Sequence, residues 1–149
     1  MKAIDKSTCL KQEIKISVDK FDNENNIINS SEDICDYFRN IIPVDINTQE
    51  CFVIIYLDKK NDVIGYNINS IGGIDQSIVD VRLIFAVALK CLASAIICIH
   101  NHPSGNLKPS KSDVQVEKQI KKIADYHSIS CLDFLIVTED GDYSFEANK

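Results

Sequence analysis

Glycine and proline are scarce, with 5 and 3 among 149 residues, and there is no low-complexity tract or internal repeat. That composition excludes a linker, a fibrous chain or a repeat array and leaves one ordinary globular domain. A paired-cysteine framework is also missing. The 6 cysteines fall at positions 9, 35, 51, 91, 98 and 131 with no CxxC, mostly inside apolar runs where a free thiol acts as a small buried hydrophobe. With no secretory signal at the N-terminus, the expectation is a reduced, cytoplasmic protein. No apolar run suits a membrane span. Leu83 to Ile99 comes nearest, but Lys90 interrupts it and Ser94 marks a break, so a buried helix followed by a buried strand accounts for it better. Excess positive charge is absent too. A net charge of −6 and a pI near 5.0 argue against direct DNA binding by this domain alone. Lys108, Lys111, Lys118, Lys121 and Lys122 read as a solvated helix face.

What is present is 45% hydrophobic residues in patterned runs. Residues 1–11 look like a polar leader, Glu13 to Val18 alternates as an edge strand would, and Phe21 to Asn29 is an Asn- and Asp-rich loop. Ser30 or Ser31 caps a helix that runs to about Ile41, with Ile34, Tyr37, Phe38 and Ile41 on one face and Pro43 closing it. Cys51 to Leu57 reads as a central strand covered on both faces. Asp58 to Asp62 turns the chain, and Val63 to Asn69 returns as its hairpin partner. Gly72-Gly73 marks a loop. The helix expected from about Asp80 to Leu92 is apolar nearly all round, which predicts packing against the sheet and a further surface. Ala95 to Ile99 is the next strand. Ser110 to His127 is a helix with Val114, Val116, Ile120, Ile123 and Ala124 as its buried stripe. Cys131 to Val137 and Tyr143 to Phe145 form a last hairpin around Asp140-Gly141. The order predicts a mixed sheet flanked by helices.

The chemistry concentrates in His100-Asn101-His102-Pro103-Ser104-Gly105, followed by Ser110 and Asp113. Histidines two apart on an extended backbone project to one side, and Pro103 stops the ladder behind them. Two imidazoles and a carboxylate form a three-ligand set of the kind that leaves zinc an open position. Each part has a plainer explanation. A histidine pair can end a strand without metal, Ser110-x-x-Asp113 resembles a capping box, and Pro103, Gly105 and Pro109 alone mean a turn. Cap and ligand are compatible, because a helix N-terminus also suits a carboxylate.

The spacing His100-x-His102, seven residues, Ser110, two residues, Asp113 resembles the JAMM motif of JAB/MPN metalloproteases. The string HNHPSGNLKPSKSD is similar to the RadC branch of that superfamily, whose members are traditionally labelled DNA repair proteins. The resemblance runs over roughly residues 45–146. It implies a single α/β domain of JAB/MPN, cytidine-deaminase-like fold over 45–149, preceded by a strand-and-helix extension over 1–44. It further implies one Zn2+ held by His100, His102 and Asp113, and a peptidase- or isopeptidase-type hydrolase in which zinc and Glu50 activate water. Glu50 is carried over from the arrangement Glu50-Cys51-Phe52, although it could be merely a polar strand-start residue. Ser110 would donate to the developing oxyanion.

Two departures accompany the resemblance. Relatives usually read Leu-Asp-His where this chain has Leu132-Asp133-Phe134, so any supporting role at that position is in doubt. Asp133 either orients a ligand histidine or satisfies a backbone group. The helix-hairpin-helix segment of full-length relatives is not found ahead of Glu50, so a DNA-repair role would need a partner. The substrate, a protein or peptide, is not readable, and an oligomer through exposed strand edges is possible. The rival functions are a non-catalytic zinc-binding adaptor and a metal-dependent nuclease, the latter disfavoured by acidity. His127, at a helix C-terminus, reads as structural.

Overall fold

A computed structural model describes residues 30–72 and 78–148. The strand expected at Glu13–Val18, the loop after it and Gly73 lie outside the described residues. In chain order the elements are α1 (Ser31–Ile41), β1 (Cys51–Leu57), β2 (Val63–Ile71), α2 (Val81–Lys90), β3 (Ala95–Asn101), α3 (Lys111–Tyr126), β4 (Ser130–Val137) and β5 (Asp142–Ser144). The strands form one sheet in the order β2-β1-β3-β4-β5. Of the neighbouring pairs only β3 and β4 run parallel, joined by helix α3, while α2 carries the chain from β2 past β1 to β3, which runs in the same direction as β2. The result is the single α/β domain, a mixed sheet flanked by helices, that the residue pattern predicts.

Both faces of the central strands are covered, which is why β1 and β3 are fully buried and are apolar except for His100 and Asn101 at the end of β3. On one face Phe52, Ile54, Tyr56, Ile96, Cys98 and Phe134 meet Ile84, Phe85 and Ala88 of α2 and Ile120 and Ala124 of α3. On the other, Val53, Ile55, Leu57, Ile97, Ile99 and Leu135 meet Ile34, Cys35 and Phe38 of α1. Helix α1 starts where expected, at a capping box. The Ser30 Oγ accepts the Asp33 N–H, and the Asp33 carboxylate accepts the Ser30 N–H.

Two expectations change. Helix α2 packs on the sheet, with Phe85 stacked on His127 at the end of α3; Leu83 and Leu89 on its outer side are exposed, and Leu92 beyond its end is 83% exposed, so no surface covers that outer side among the described residues. An all-apolar pattern cannot distinguish a helix covered once from one covered twice. In α3 the buried stripe contains Glu117, only 7% exposed, while Val114, Val116 and Ile123 are half-buried. Glu117 is tolerated because Lys121, one turn on, meets it at 2.6 Å and also pairs with Glu146. No helix among the described residues is long and apolar enough to cross a membrane.

Candidate metal centre

Strand β3 runs two residues past the expected apolar stretch, so His100 and Asn101 still belong to the sheet. Alternation turns His100 to the α2/α3 face, where its ring stacks on Phe52 and meets Phe134 edge-on, centroids 5.6 and 5.5 Å away. It is 1% exposed. His102 leaves the strand, held by its N–H to the Val137 carbonyl at the end of β4. The loop then doubles back through Gly105, whose φ of +74° is a conformation side chains resist. That turn brings the Asn106 carbonyl to 2.6 Å from His102 Nδ1. A carbonyl can only accept, so Nδ1 carries the proton and Nε2 of the neutral ring presents its lone pair.

Helix α3 supplies the carboxylate. Ser110 is its N-cap and Asp113 its third residue, bonded reciprocally. Asp113 N–H donates to Ser110 Oγ at 3.1 Å, and Ser110 N–H donates to Asp113 Oδ2 at 2.6 Å. The capping carboxylate and the carboxylate of the candidate ligand set are therefore the same residue, Asp113. Asp113 Oδ1 lies 3.3 Å from His100 Nε2, its Oδ2 lies 3.5 Å from His102 Nε2, and the two Nε2 atoms are 3.0 Å apart. Atoms bound about 2.0–2.1 Å from a tetrahedral ion lie about 3.3 Å from one another. The 3.3 and 3.5 Å spacings reach different oxygens of Asp113, and one ligand atom from each residue lies within 4.8 Å of the others, so the three would draw in slightly around such an ion; two nitrogens and a carboxylate are a donor set it accepts. The residues fit a metal.

The electrostatics agree with that geometry. Burial would raise the pKa of Asp113, but bonds to His100, His102 and Ser110 outweigh it and hold the carboxyl far below its usual range. Burial would lower His102, yet Asp113, the Asn106 carbonyl and the charge of Glu50 leave it raised. The buried thiols are different: desolvation pushes Cys51 up to about 11 and Cys35 to about 12, which keeps them protonated and inert.

His102 and Asp113 open into a cleft of about 340 Å³, lined also by the polar Glu50, Ser110 and Lys108 and the apolar Phe52, Val79, Val116 and Phe134. Four of the five residues singled out in the sequence thus line one cleft, and His100 closes its floor. Asp133 accepts hydrogen bonds from Phe134 N–H at 2.7 Å, Ser144 Oγ at 2.7 Å and Glu146 N–H at 3.2 Å; none is a ligand histidine. His100 Nδ1 has no hydrogen-bond partner. His127 caps α3 and stacks on Phe85 outside the cleft.

One residue in the motif was passed over by sequence reasoning. Asn101 is fully buried. Its Oδ1 accepts the Cys51 N–H at 2.8 Å, and its Nδ2 donates to the carbonyls of Ile46 and Gln49, both at 2.8 Å. Its position between two histidines was the only available signal.

The chain matches the RadC-like JAB domain family over residues 28–149. Among curated proteins, it is 43% identical over 97 residues to a UPF0758 protein of Streptococcus equi subsp. zooepidemicus, covering 65% of this chain and 43% of that one. A UPF0758 protein of Flavobacterium johnsoniae is 45% identical over 96 residues, 64% of this chain and 42% of its own length. One from Chlorobaculum parvum is 34% identical over 123 residues, 83% and 54% respectively. The chain spans about half the length of the curated relatives it matches.

Proposed function

This chain belongs to the RadC-like JAB domain family, and we propose that it is a zinc-dependent hydrolase of peptide or isopeptide bonds. The observation that carries the reading is the convergence of His100 Nε2, His102 Nε2 and the Asp113 carboxylate beside a cleft that also holds Glu50. Held by those three residues, zinc would supply Lewis-acid activation of water and of a carbonyl. The Glu50 carboxylate takes the proton of the attacking water and returns it to the leaving amine as the C–N bond breaks. The Ser110 hydroxyl, whose oxygen already accepts the Asp113 N–H, points its own proton to the carbonyl oxygen as charge builds there. The apolar wall of Phe52, Val79, Val116 and Phe134 keeps water from the far side of the cleft and offers purchase to an apolar side chain.

The nuclease reading is weaker. Lys108 is the one basic side chain lining the cleft, which offers little beyond the metal itself to hold the phosphates of a nucleic-acid backbone. A link to DNA repair then runs through a partner protein. The free thiols Cys35, Cys51, Cys91, Cys98 and Cys131 suit a reducing compartment such as the cytoplasm.

Elemental analysis of the purified chain beside His102→Ala tests the metal. About one zinc per chain, absent from the variant, supports the reading; no zinc and no uptake on supply sinks it. Glu50→Gln then separates enzyme from adaptor: it retains zinc and loses hydrolysis of a conjugate that the parent cleaves.

A further inference from the structure

We propose that Asn101 is a positioning residue, which locks Glu50 over the metal ligands by binding the backbone on either side of it. The inference rests on the role given above to Glu50.

The β1–β3 ladder ends at the pair Phe52 and His100. One step further, Cys51 lies across from Asn101, and the Asn101 side chain accepts its N–H. Alternation sends this side chain to the face opposite His100, beneath the segment that leads into β1. There its two amide protons go to the carbonyls of Ile46 and Gln49. Glu50 is thereby bracketed, with residue 49 bound on one side and residue 51 on the other. From the β2 side, the Gly72 N–H donates to the Glu50 carbonyl at 2.8 Å. The backbone of Glu50 is fixed on three sides, which sets the point from which its carboxylate reaches the cleft.

The placement has a functional consequence because Asn101 sits between the two ligand histidines. The carboxylate and both imidazoles are referenced to the same three consecutive residues, His100, Asn101 and His102. Any shift of the strand end carries all of them together, so their mutual distances are preserved, as acid–base work beside a metal demands. Asparagine suits the position because it offers one acceptor and two donors in a single plane. Aspartate lacks the donors, and serine is too short to span them. The plainer alternative is that Asn101 only satisfies three buried backbone groups. The two roles differ in what happens at the metal when Asn101 is changed.

The test uses the full chain loaded with Co2+, whose visible absorption bands are followed against pH. Parent, Glu50→Gln, Asn101→Ala and Asn101→Ser are compared, with metal stoichiometry and melting temperature recorded for each. Glu50→Gln moves the midpoint of the spectral transition by about one pH unit. Both Asn101 variants keep the metal and move it in the same direction by about half as much or more, and the double variant Glu50→Gln/Asn101→Ala shows no further shift. Should Asn101→Ala fail to fold, Asn101→Ser decides. Asn101 variants that melt earlier yet keep the parent midpoint would overturn the inference, leaving Asn101 a purely structural residue. Loss of metal in folded Asn101 variants would overturn it too, by showing that the residue holds the histidines instead. A parent-like midpoint in Glu50→Gln removes the role of Glu50 itself, and with it both readings.

Discussion

The two faces of the sheet are built by the same strands and end differently. On the α1 face, odd-numbered residues of β3 run Ala95, Ile97, Ile99 and finish in Asn101; on the α2/α3 face, even-numbered residues run Ile96, Cys98 and finish in His100. One face ends in a hydrogen-bonded staple and the other in a cluster of metal-type donors. The difference shows how a period of two divides labour: a single strand end anchors the scaffold on one side and presents reactive groups on the other. The division predicts that stability and metal binding can be broken separately.

The largest stability effect belongs to the α1 face. Phe38 is fully buried there, and Phe38→Ala costs about 3–5 kcal/mol by equilibrium denaturation, while the fraction that folds still takes up metal. A loss under about 1 kcal/mol would mean that α1 is dispensable and the comparison wrong.

Metal and protons compete next. In the metal-free chain His102 is raised above its ordinary 6.5, so its stabilisation is complete below that pH and is lost as pH climbs through the folded value. Asp113 is lowered from 3.8, so its contribution is present above that pH and lost only as pH falls through the lower folded value. Metal-free stability from these groups therefore peaks in the mildly acid range between them. Metal needs the deprotonated imidazole, so its added stabilisation grows with pH. The gap in melting temperature between metal-loaded and chelator-treated protein widens from about pH 6 to about pH 8; a constant gap would contradict the proposed ligand set.

Ser110→Ala removes the cap acceptor of α3 and costs about 1 kcal/mol in thermal or chemical melts, with metal retained because Asp113 keeps its backbone bond to residue 110. Smallest is His102→Ala in the metal-free chain at about pH 8, a change below about 1 kcal/mol because the imidazole, 14% exposed, lines an open cleft that water can fill and lies outside the apolar core, although metal uptake is abolished. A collapse of the fold in that variant would show that the two faces are not separable.

Much of this was legible in the amino-acid order because it is local. Period-two and period-3.6 runs marked the strands and helices, and the ligand set lies within residues 100–113. What escaped depends on distant partners. The groups bound by Asn101 come from positions 46, 49 and 51, and nothing near it in the chain announces them. The lysine that meets the buried Glu117 also pairs with Glu146 from beyond β5, a link that the order of residues does not announce. The outer face of α2 reads as covered because apolar residues say that burial is favourable and not whether a surface exists to provide it. Asp133 offered two roles in sequence, and its bonds to Phe134, Ser144 and Glu146 select the backbone one.

The return of the loop at Gly105 makes the donor set portable. Strand end, turn and helix cap supply both imidazoles, the carbonyl that orients one of them, and the carboxylate, all from one uninterrupted segment. The segment asks its host for little more than a parallel neighbouring strand whose last carbonyl can take the His102 N–H. Transplanted onto another β–α–β unit, it would carry the candidate ligand set along and leave Glu50 behind. The candidate donor set is a modular property of this chain; the placing of Glu50 belongs to the whole sheet.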